Sequence, residues 1–359
     1  MKRKVTIADI AAEAGVSIPT VSKVLNKHID VSSKTRLHVE SIIRERGYIS
    51  NRASKPRRTV QAGLVDLMII DTMDSYYFLE IIRGMEEVLR EADKHLVLQT
   101  MHANVLYEQE WIDRIATRPV EGVVFIVLPE YYSRYLETLR SLDIPFTVID
   151  DWAQPHPDIP SVGSTNWHGG LTATEYLISL GHRRIAAISG VPDHLTARAR
   201  IAGFRSAMET AGLPVDPDLV RPGRYDHQSG YVETHYLLDL PEPPTAIISA
   251  CDQQASGIYH ALYERGITIP DQMSVIGFDD IPPAQWLSPP LTTIRQPLKE
   301  MGLMATSMLL RQIAGEQLDT MRVELATSLI VRDSCAAPPS MNRKIGPDDS
   351  HRSDADLLA

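Results

Sequence analysis

Acids end the apolar runs of this chain. Asp71 and Asp74 follow "LVDLMII" (64–70), Asp150 closes "FTVID" (146–150) and Asp151 follows it. Asp252 comes just after "AIISA" (246–250), and Asp279 and Asp280 follow "SVIGF" (274–278). Paired acids of this kind suit two chemistries. Hydrolysis of a glycoside needs two carboxyls flanking one bond; a binding site needs acceptors for hydroxyl donors. Arg200, in "TARARIAGF" at the start of a helix, adds a planar fork of donors. Asp252, ahead of "QQASGIYHALYERG", is read either as a ligand-facing acid or as a cap of the helix it precedes. No nucleophile elbow, phosphate loop or zinc signature accompanies these residues. The two cysteines, Cys251 and Cys335, lie far apart, which excludes a disulfide framework or a Cys-rich zinc site. His182 in "GHRR" is a lone histidine and reads as structural. The residues are therefore read as binding groups: no enzyme, no cofactor and no metal.

Elements must bring these acids together. The apolar runs at 64–70, 95–101, 122–128, 146–150, 184–190, 246–250 and 274–278 read as buried strands. Between them lie amphipathic helices; in 78–89, Phe78, Ile81, Ile82, Met85, Val88 and Leu89 keep helical spacing. Alternation over some 260 residues implies α/β architecture with parallel sheets covered on both faces. That is more than one such domain comfortably holds, so two similar lobes are expected. Ligands of these sheets bind outside the carboxyl ends of the strands, which is where the acids stand. The basic start is broken by Asp9 and Glu13, so it is no signal peptide. No run of about 18 apolar residues offers a membrane span, and a cytoplasmic protein is expected.

The net charge of −10 conceals an asymmetry. Residues 1–58 hold 13 Lys/Arg and 5 Asp/Glu, a net of +8, which leaves −18 for the remainder. A basic head on an acidic body suits a head that meets a polyanion. Its pattern is that of three short helices. Thr6 can cap "IADIAAE", Gly15 can make a tight turn, and Ser17 can cap "IPTVSKVLN" with Pro19 in its first turn. Ser32 can cap "SKTRLHVESIIRERGY", whose Leu37, Val39, Ile42 and Ile43 are expected on the apolar side. Two short helices across a glycine turn, closed by a third, read as a helix-turn-helix. The second helix would enter the major groove of DNA, presenting Ile18, Pro19, Thr20, Ser22, Lys23 and Asn26.

"ADIAAEAGVSIPTVSKVLN", with "VSSKTRLHVESIIRERGYISN" after it, resembles the DNA-binding head of the LacI family of bacterial transcription regulators, and the resemblance runs to about residue 333. "GHRRIAAISG", "RARIAGFRSAM", "SVIGFDD" and "PPLTTIRQP" look like that family's landmarks. The resemblance implies a helix-turn-helix head at 1–50, a hinge at 51–63 and a type I periplasmic-binding-protein-like body at 64–333. Its first lobe would be about 64–164 plus 295–323, and its second about 165–294 plus 324–333. It implies an effector site with Arg200 and Asp279, Tyr225 against the ligand, Ser75 and Tyr77 after the first strand, and Gln296 in the last crossover. Asp74, Asp150, Trp167, Cys251 and Asp252 complete the candidate set, and Trp286 is a further aromatic. Many relatives have Asn where this chain has Cys251, and a thiol bonds hydroxyls weakly, so the effector is held differently here.

The function so implied is a regulator, most often a repressor of carbohydrate-utilisation genes. It would bind a pseudopalindromic operator as a homodimer and be released by a sugar or oligosaccharide. The alternatives are a purine-corepressed regulator, a free-standing sugar receptor or a glycosidase. DNA contacts are expected from Thr6, Ser17 and the second helix, and from Arg52, Lys55, Arg57 and Arg58 of "NRASKPRRTVQAG". There Arg57 stands where the family places a leucine that wedges the minor groove, and Pro56 disfavours a helix at Lys55. An extended basic arm in a narrow minor groove is expected instead. Residues 334–359, polar and without heptads, read as a disordered tail, and a dimer is expected over a tetramer.

Overall fold

The computed structural model describes residues 6–25, 30–46, 63–70, 75–101, 111, 114–115, 120–126, 132–150 and 158–339. Asn26, Arg52, Lys55, Arg57, Arg58, Asp71, Asp74 and Asp151, with the rest of the expected hinge before Gly63, lie outside them. The chain divides into two compact units, one containing the three-helix head and the other containing two sheets.

The head comprises α1 (Ile7–Glu13), α2 (Ile18–Leu25) and α3 (Ser33–Glu45). Each starts at a hydroxyl. Thr6 and Asp9 form a reciprocal capping box: Asp9 N–H donates to Thr6 Oγ1 at 3.3 Å and Thr6 N–H to the Asp9 carboxylate at 2.8 Å. Ser17 Oγ accepts from Thr20 N–H at 3.3 Å, and Ser32 Oγ from Thr35 N–H at 3.2 Å. Gly15, at φ +63°, makes the turn between α1 and α2. Ile10, Ala11, Ala14, Val21, Val24, Val39 and Ile42 form the core. Leu37 was expected there but is 67% exposed. Val39 and Ile42, three apart, face inward; Leu37 lies about 200° round the helix from Val39.

In the body, sheet A has the order β11-β5-β4-β3-β1-β2 and sheet B the order β12-β10-β9-β8-β6-β7. The strands are β1 (Leu64–Ile70), β2 (His95–Met101), β3 (Gly122–Ile126), β4 (Phe146–Ile149), β5 (Ser161–Ser164), β6 (Ile185–Ile188), β7 (Val220–Arg221), β8 (Ala246–Ser249), β9 (Ser274–Asp279), β10 (Thr292–Arg295), β11 (Arg322–Leu325) and β12 (Ser328–Ile330). All pairings are parallel except β10 with β12. Helices α4 (Tyr76–Glu91), α5 (Tyr132–Ser141) and α10 (Leu298–Ile313) belong to the first lobe. Helices α6 (Asn166–Ser179), α7 (Leu195–Thr210), α8 (His227–Leu238) and α9 (Asp252–Glu264) belong to the second.

Glycines let helices approach where it matters for Arg200. A Cβ on Gly170 of α6 would stand 2.1 Å from the Arg200 carbonyl, and one on Gly203 of α7 2.1 Å from the Trp167 carbonyl. The two helices are thus locked backbone to backbone, and any side chain there would push Arg200 off the sheet.

The chain passes between lobes three times: at Thr165, just after Arg295, and between Leu325 and Ser328, slightly beyond the expected Glu324. The passages are laced together. Thr165 N–H donates to Leu325 O at 3.0 Å, Thr327 N–H to Thr165 Oγ1 at 2.9 Å, and Ser164 Oγ–H to Gln296 Oε1. The expected tail boundary at 334 differs from the structure. Ser334 is fully buried: its carbonyl accepts from Val275 N–H at 2.9 Å, and its hydroxyl donates to the Val275 carbonyl at 2.6 Å. His182, also buried, is bonded to Thr245 Oγ1 at 2.8 Å and to the Ala336 carbonyl at 2.9 Å, so residues 334–336 lie against sheet B. Residues 340–359 lie outside the described ones.

Candidate binding sites in the head and between the lobes

In the head, α2 presents exposed Ile18, Pro19 and Lys23 and half-buried Thr20 and Ser22, with exposed Ser17 just before it. Ser17 and Thr20 share a hydroxyl contact of 2.8 Å. The Lys23 ammonium meets the Asp30 carboxylate, both about half exposed. Such a surface pair contributes about 0–1 kcal/mol, so a phosphate can displace it at small cost. Thr6 is exposed, but its hydroxyl is committed to Asp9 at 2.7 Å. This is a surface of short donors, one apolar group and one loosely held cation, able to meet phosphates and base edges.

Between the lobes the polar groups are buried. Arg200 is 8% exposed. Its Nε donates to Asn166 Oδ1 at 2.8 Å, its Nη1 donates to the Ala250 carbonyl, and its guanidinium lies 3.6 Å above the Phe278 ring centroid. Asp279, at the end of β9, stands 4.0 Å from Arg200 and accepts from Gln296 Nε2 at 2.6 Å. Burial raises its carboxyl to about 7, although Arg200 and Gln296 pull the other way. Gln296 links Ser164 to Asp279, so one amide joins two of the lobe passages to this acid.

Asp150, at the end of β4, accepts from the Tyr77 hydroxyl at 2.5 Å through Oδ2. Its Oδ1 is buried and takes no hydrogen bond from the described residues. Burial raises the Asp150 carboxyl against the pull of Tyr77 and Arg200, and burial beside Asp150 raises the Tyr77 phenol well above its ordinary value. Ser75 caps α4, its Oγ accepting from Tyr77 N–H at 3.3 Å, so it positions Tyr77. The Tyr225 hydroxyl meets Thr196 Oγ1 at 3.0 Å and its ring stacks on His194 at 5.9 Å; burial pushes its phenol up to about 12. Asp150, Tyr225, Asp279 and Asp280 all have positive φ, at 50°, 63°, 116° and 59°. Backbone strain of about 1–3 kcal/mol per such residue gathers at ligand clamps.

Other expected residues have structural partners. Cys251 caps α9: its Sγ accepts from Gln254 N–H at 3.3 Å and donates to the Tyr225 carbonyl at 3.2 Å. It therefore holds the backbone of Tyr225. Asp252 neither caps α9 nor has an oxygen to spare. Its Oδ1 accepts from Thr293 Oγ1 at 2.6 Å and its Oδ2 from Ile281 N–H at 2.9 Å, tying the ends of β9 and β10 together. Asp280 is held by Arg295 at 2.7 Å and by Arg332. Trp167 is 38% exposed with its ring edge-on to His168 at 5.1 Å, and Trp286, 68% exposed, meets Tyr76 edge-on at 6.0 Å. Neither has a hydrogen bond or ring contact with the buried acids among the described contacts. Sequence reasoning missed Asn166, Thr196 and Phe278. Phe278 read as strand core, and its place beside Asp279 in "SVIGFDD" was the available signal.

Among the described residues no group of three His, Cys, Asp or Glu could hold a metal ion, and no helix is long and apolar enough to cross a membrane.

Comparison with known proteins gives this geometry a context. Residues 6–51 match the family described as bacterial regulatory proteins, lacI family, and residues 174–335 match the periplasmic binding protein-like domain. The ribose operon repressor of Escherichia coli (strain K12) is 32% identical over 92% of this chain and 99% of its own length. The HTH-type transcriptional repressor PurR of Photorhabdus laumondii subsp. laumondii is 34% identical over 93% of this chain and 98% of its own. A solved structure of the transcriptional regulator CelR in complex with cellobiose superposes with a TM-score of 0.72 at 30% identity, covering 92% of this chain and 99% of that one. With a helix-turn-helix head, two parallel-sheet lobes and relatives of this kind over nearly its whole length, the chain belongs to the LacI family of DNA-binding transcriptional repressors.

Proposed function

We propose that this repressor holds a pseudopalindromic operator as a homodimer and is released when a sugar or short oligosaccharide binds among Asp150, Arg200, Tyr225 and Asp279. The observation that carries the reading is the placement of Gln296. It bonds Asp279 in the buried cluster and Ser164 at a passage between the lobes, so a ligand on Asp279 acts on the joint between them. Carboxylates and a fixed guanidinium beside an aromatic ring are what hydroxyls and a sugar's C–H face require. The relatives named for ribose and bound to cellobiose support the same class. A single small head buries too little DNA surface for specific affinity, which favours two heads on two half-sites. A tenfold release of operator needs a coupling of only about 1.4 kcal/mol.

The protein acts as a binder in the cytoplasm, where its operator lies, and turns over no ligand. Ser17, Ile18, Pro19, Thr20, Ser22 and Lys23 face the major groove, and the basic segment with Arg52, Lys55, Arg57 and Arg58 supplies phosphate or minor-groove contacts. A gel-shift assay on an operator fragment selected from random DNA tests the reading. Ribose or cellobiose should weaken the complex at least tenfold, with no hydrolysis of cellobiose during the assay. A complex tightened by a purine base would establish the corepressed alternative, and cleavage of cellobiose lost in Asp279→Asn would establish an enzyme.

A further inference from the structure

The charges between the lobes do not balance. Asp150, Asp252 and Asp279 are 2–6% exposed, and the described cation that acts on Asp150 and Asp279 is Arg200, while Asp252 is shown with none. That guanidinium already gives Nε to Asn166 and Nη1 to the Ala250 carbonyl, and its face to Phe278. Arg295 and Arg332 are held by Asp280. Asp252 has both oxygens occupied by the protein. Asp150 does not: Oδ1 is buried, accepts nothing from the described residues, and belongs to a carboxylate whose other oxygen is fixed by Tyr77.

We infer that this site is built for a ligand without an anionic group, one that brings O–H or N–H donors to Asp150 Oδ1 and to Asp279. The inference rests on the effector reading above and narrows it to neutral polyols or amine-bearing sugars, excluding sugar phosphates and sugar acids. A buried acceptor that no protein group satisfies is costly. A donor from the ligand removes that cost, whereas a phosphate would add a second uncompensated charge beside two acids. The built-in asymmetry thus acts as a charge filter, rejecting the phosphorylated form of a sugar whose free form it accepts.

The test uses the full chain at pH 8 and calorimetric titration with matched probes: D-ribose against D-ribose 5-phosphate, and D-glucose and D-glucosamine against D-glucose 6-phosphate, with cellobiose as the longer neutral probe. At least one neutral or amine-bearing probe should bind, and any phosphorylated partner should bind at least tenfold more weakly. Tighter binding of glucosamine than glucose identifies an amine ligand; the reverse identifies a polyol. Asp150→Asn should raise the melting temperature of the ligand-free protein, because it removes the buried charge while keeping an acceptor for Tyr77. A phosphorylated probe binding as tightly as its parent, no neutral or amine-bearing probe binding, or a melting temperature lowered by Asp150→Asn each overturns the inference. A neutral probe that binds without releasing operator DNA sinks the proposed function instead and leaves the charge filter standing.

Discussion

Helix α2 and the cluster around Arg200 are both polar, and they handle charge in opposite ways. On α2 the cation Lys23 is half exposed and its partner Asp30 equally so. Around Arg200 the cation is 8% exposed, locked by two hydrogen bonds and a ring, and surrounded by acids that burial pushes toward protonation. A polyanion such as DNA needs mobile, solvated charge that can follow a backbone. A small ligand needs fixed, desolvated groups whose cost it relieves by arriving. The first arrangement gives weak internal energetics and strong salt dependence; the second gives the reverse.

The largest expected effect lies in the buried region. Arg200→Ala leaves Asp279 and Asp150 without their cation and should cost roughly 3–5 kcal/mol in urea unfolding at pH 8. A loss below about 1 kcal/mol would mean that the acids are neutral without it. Asp252→Ala removes the acceptor of Ile281 N–H and Thr293 Oγ–H and should cost about 1–3 kcal/mol. Retained stability with lost ligand affinity would place Asp252 among the ligand-binding residues.

Asp279→Asn sharpens the contrast through pH. The folded carboxyl titrates near 7, above its ordinary value of 3.8, so the folded state holds the extra proton between the two. Stability of the unaltered protein therefore falls as pH rises through that window and levels off above about 7. The variant should melt higher than the parent at pH 8, with the gap shrinking as pH falls toward 4. A gap that is constant with pH would show that Asp279 does not titrate there.

The smallest effect on stability belongs to the head. Lys23→Ala should change it by less than about 0.5 kcal/mol while lowering operator affinity. If Lys23 meets phosphate, the salt slope falls by about one and all operator variants weaken alike; if it reads a base, the preferred sequence changes. A large loss of folding stability would place Lys23 with the buried groups and erase the distinction.

Long apolar runs were legible because a buried parallel strand needs apolar residues on both faces, and β1, β8 and β9 lie where the sequence puts them; β2, expected to be buried, is an edge strand with Leu98 41% exposed. The short strands were not named. "SVGS" of β5 and "VR" of β7 carry no period, and β11 and β12 are partly exposed, so their residues need not be apolar. Strand-end acids could be found from the rule of carboxyl ends, but their fates could not. Asp252 meets Thr293 across 41 residues and Asp279 meets Gln296 across 17, and such pairings exist only after the sheet has ordered its strands. Leu37 failed for a simpler reason: an apolar residue in a helix is only a weak indication of which way it faces.

Strands β11 and β12 each close an edge, one in each sheet, within Arg322–Ile330. A ribosome that has delivered residue 320 has therefore completed neither lobe. The first lobe also waits for α10, which follows the whole of the second-lobe core in the chain. Domains that fold one after another as they emerge shelter their apolar faces early. Here both sheets lack an edge strand until Arg322–Ile330 has emerged, and a nascent chain exposes those edges together. The period of greatest risk of aggregation for these lobes thus lasts until Arg322–Ile330 has emerged and paired.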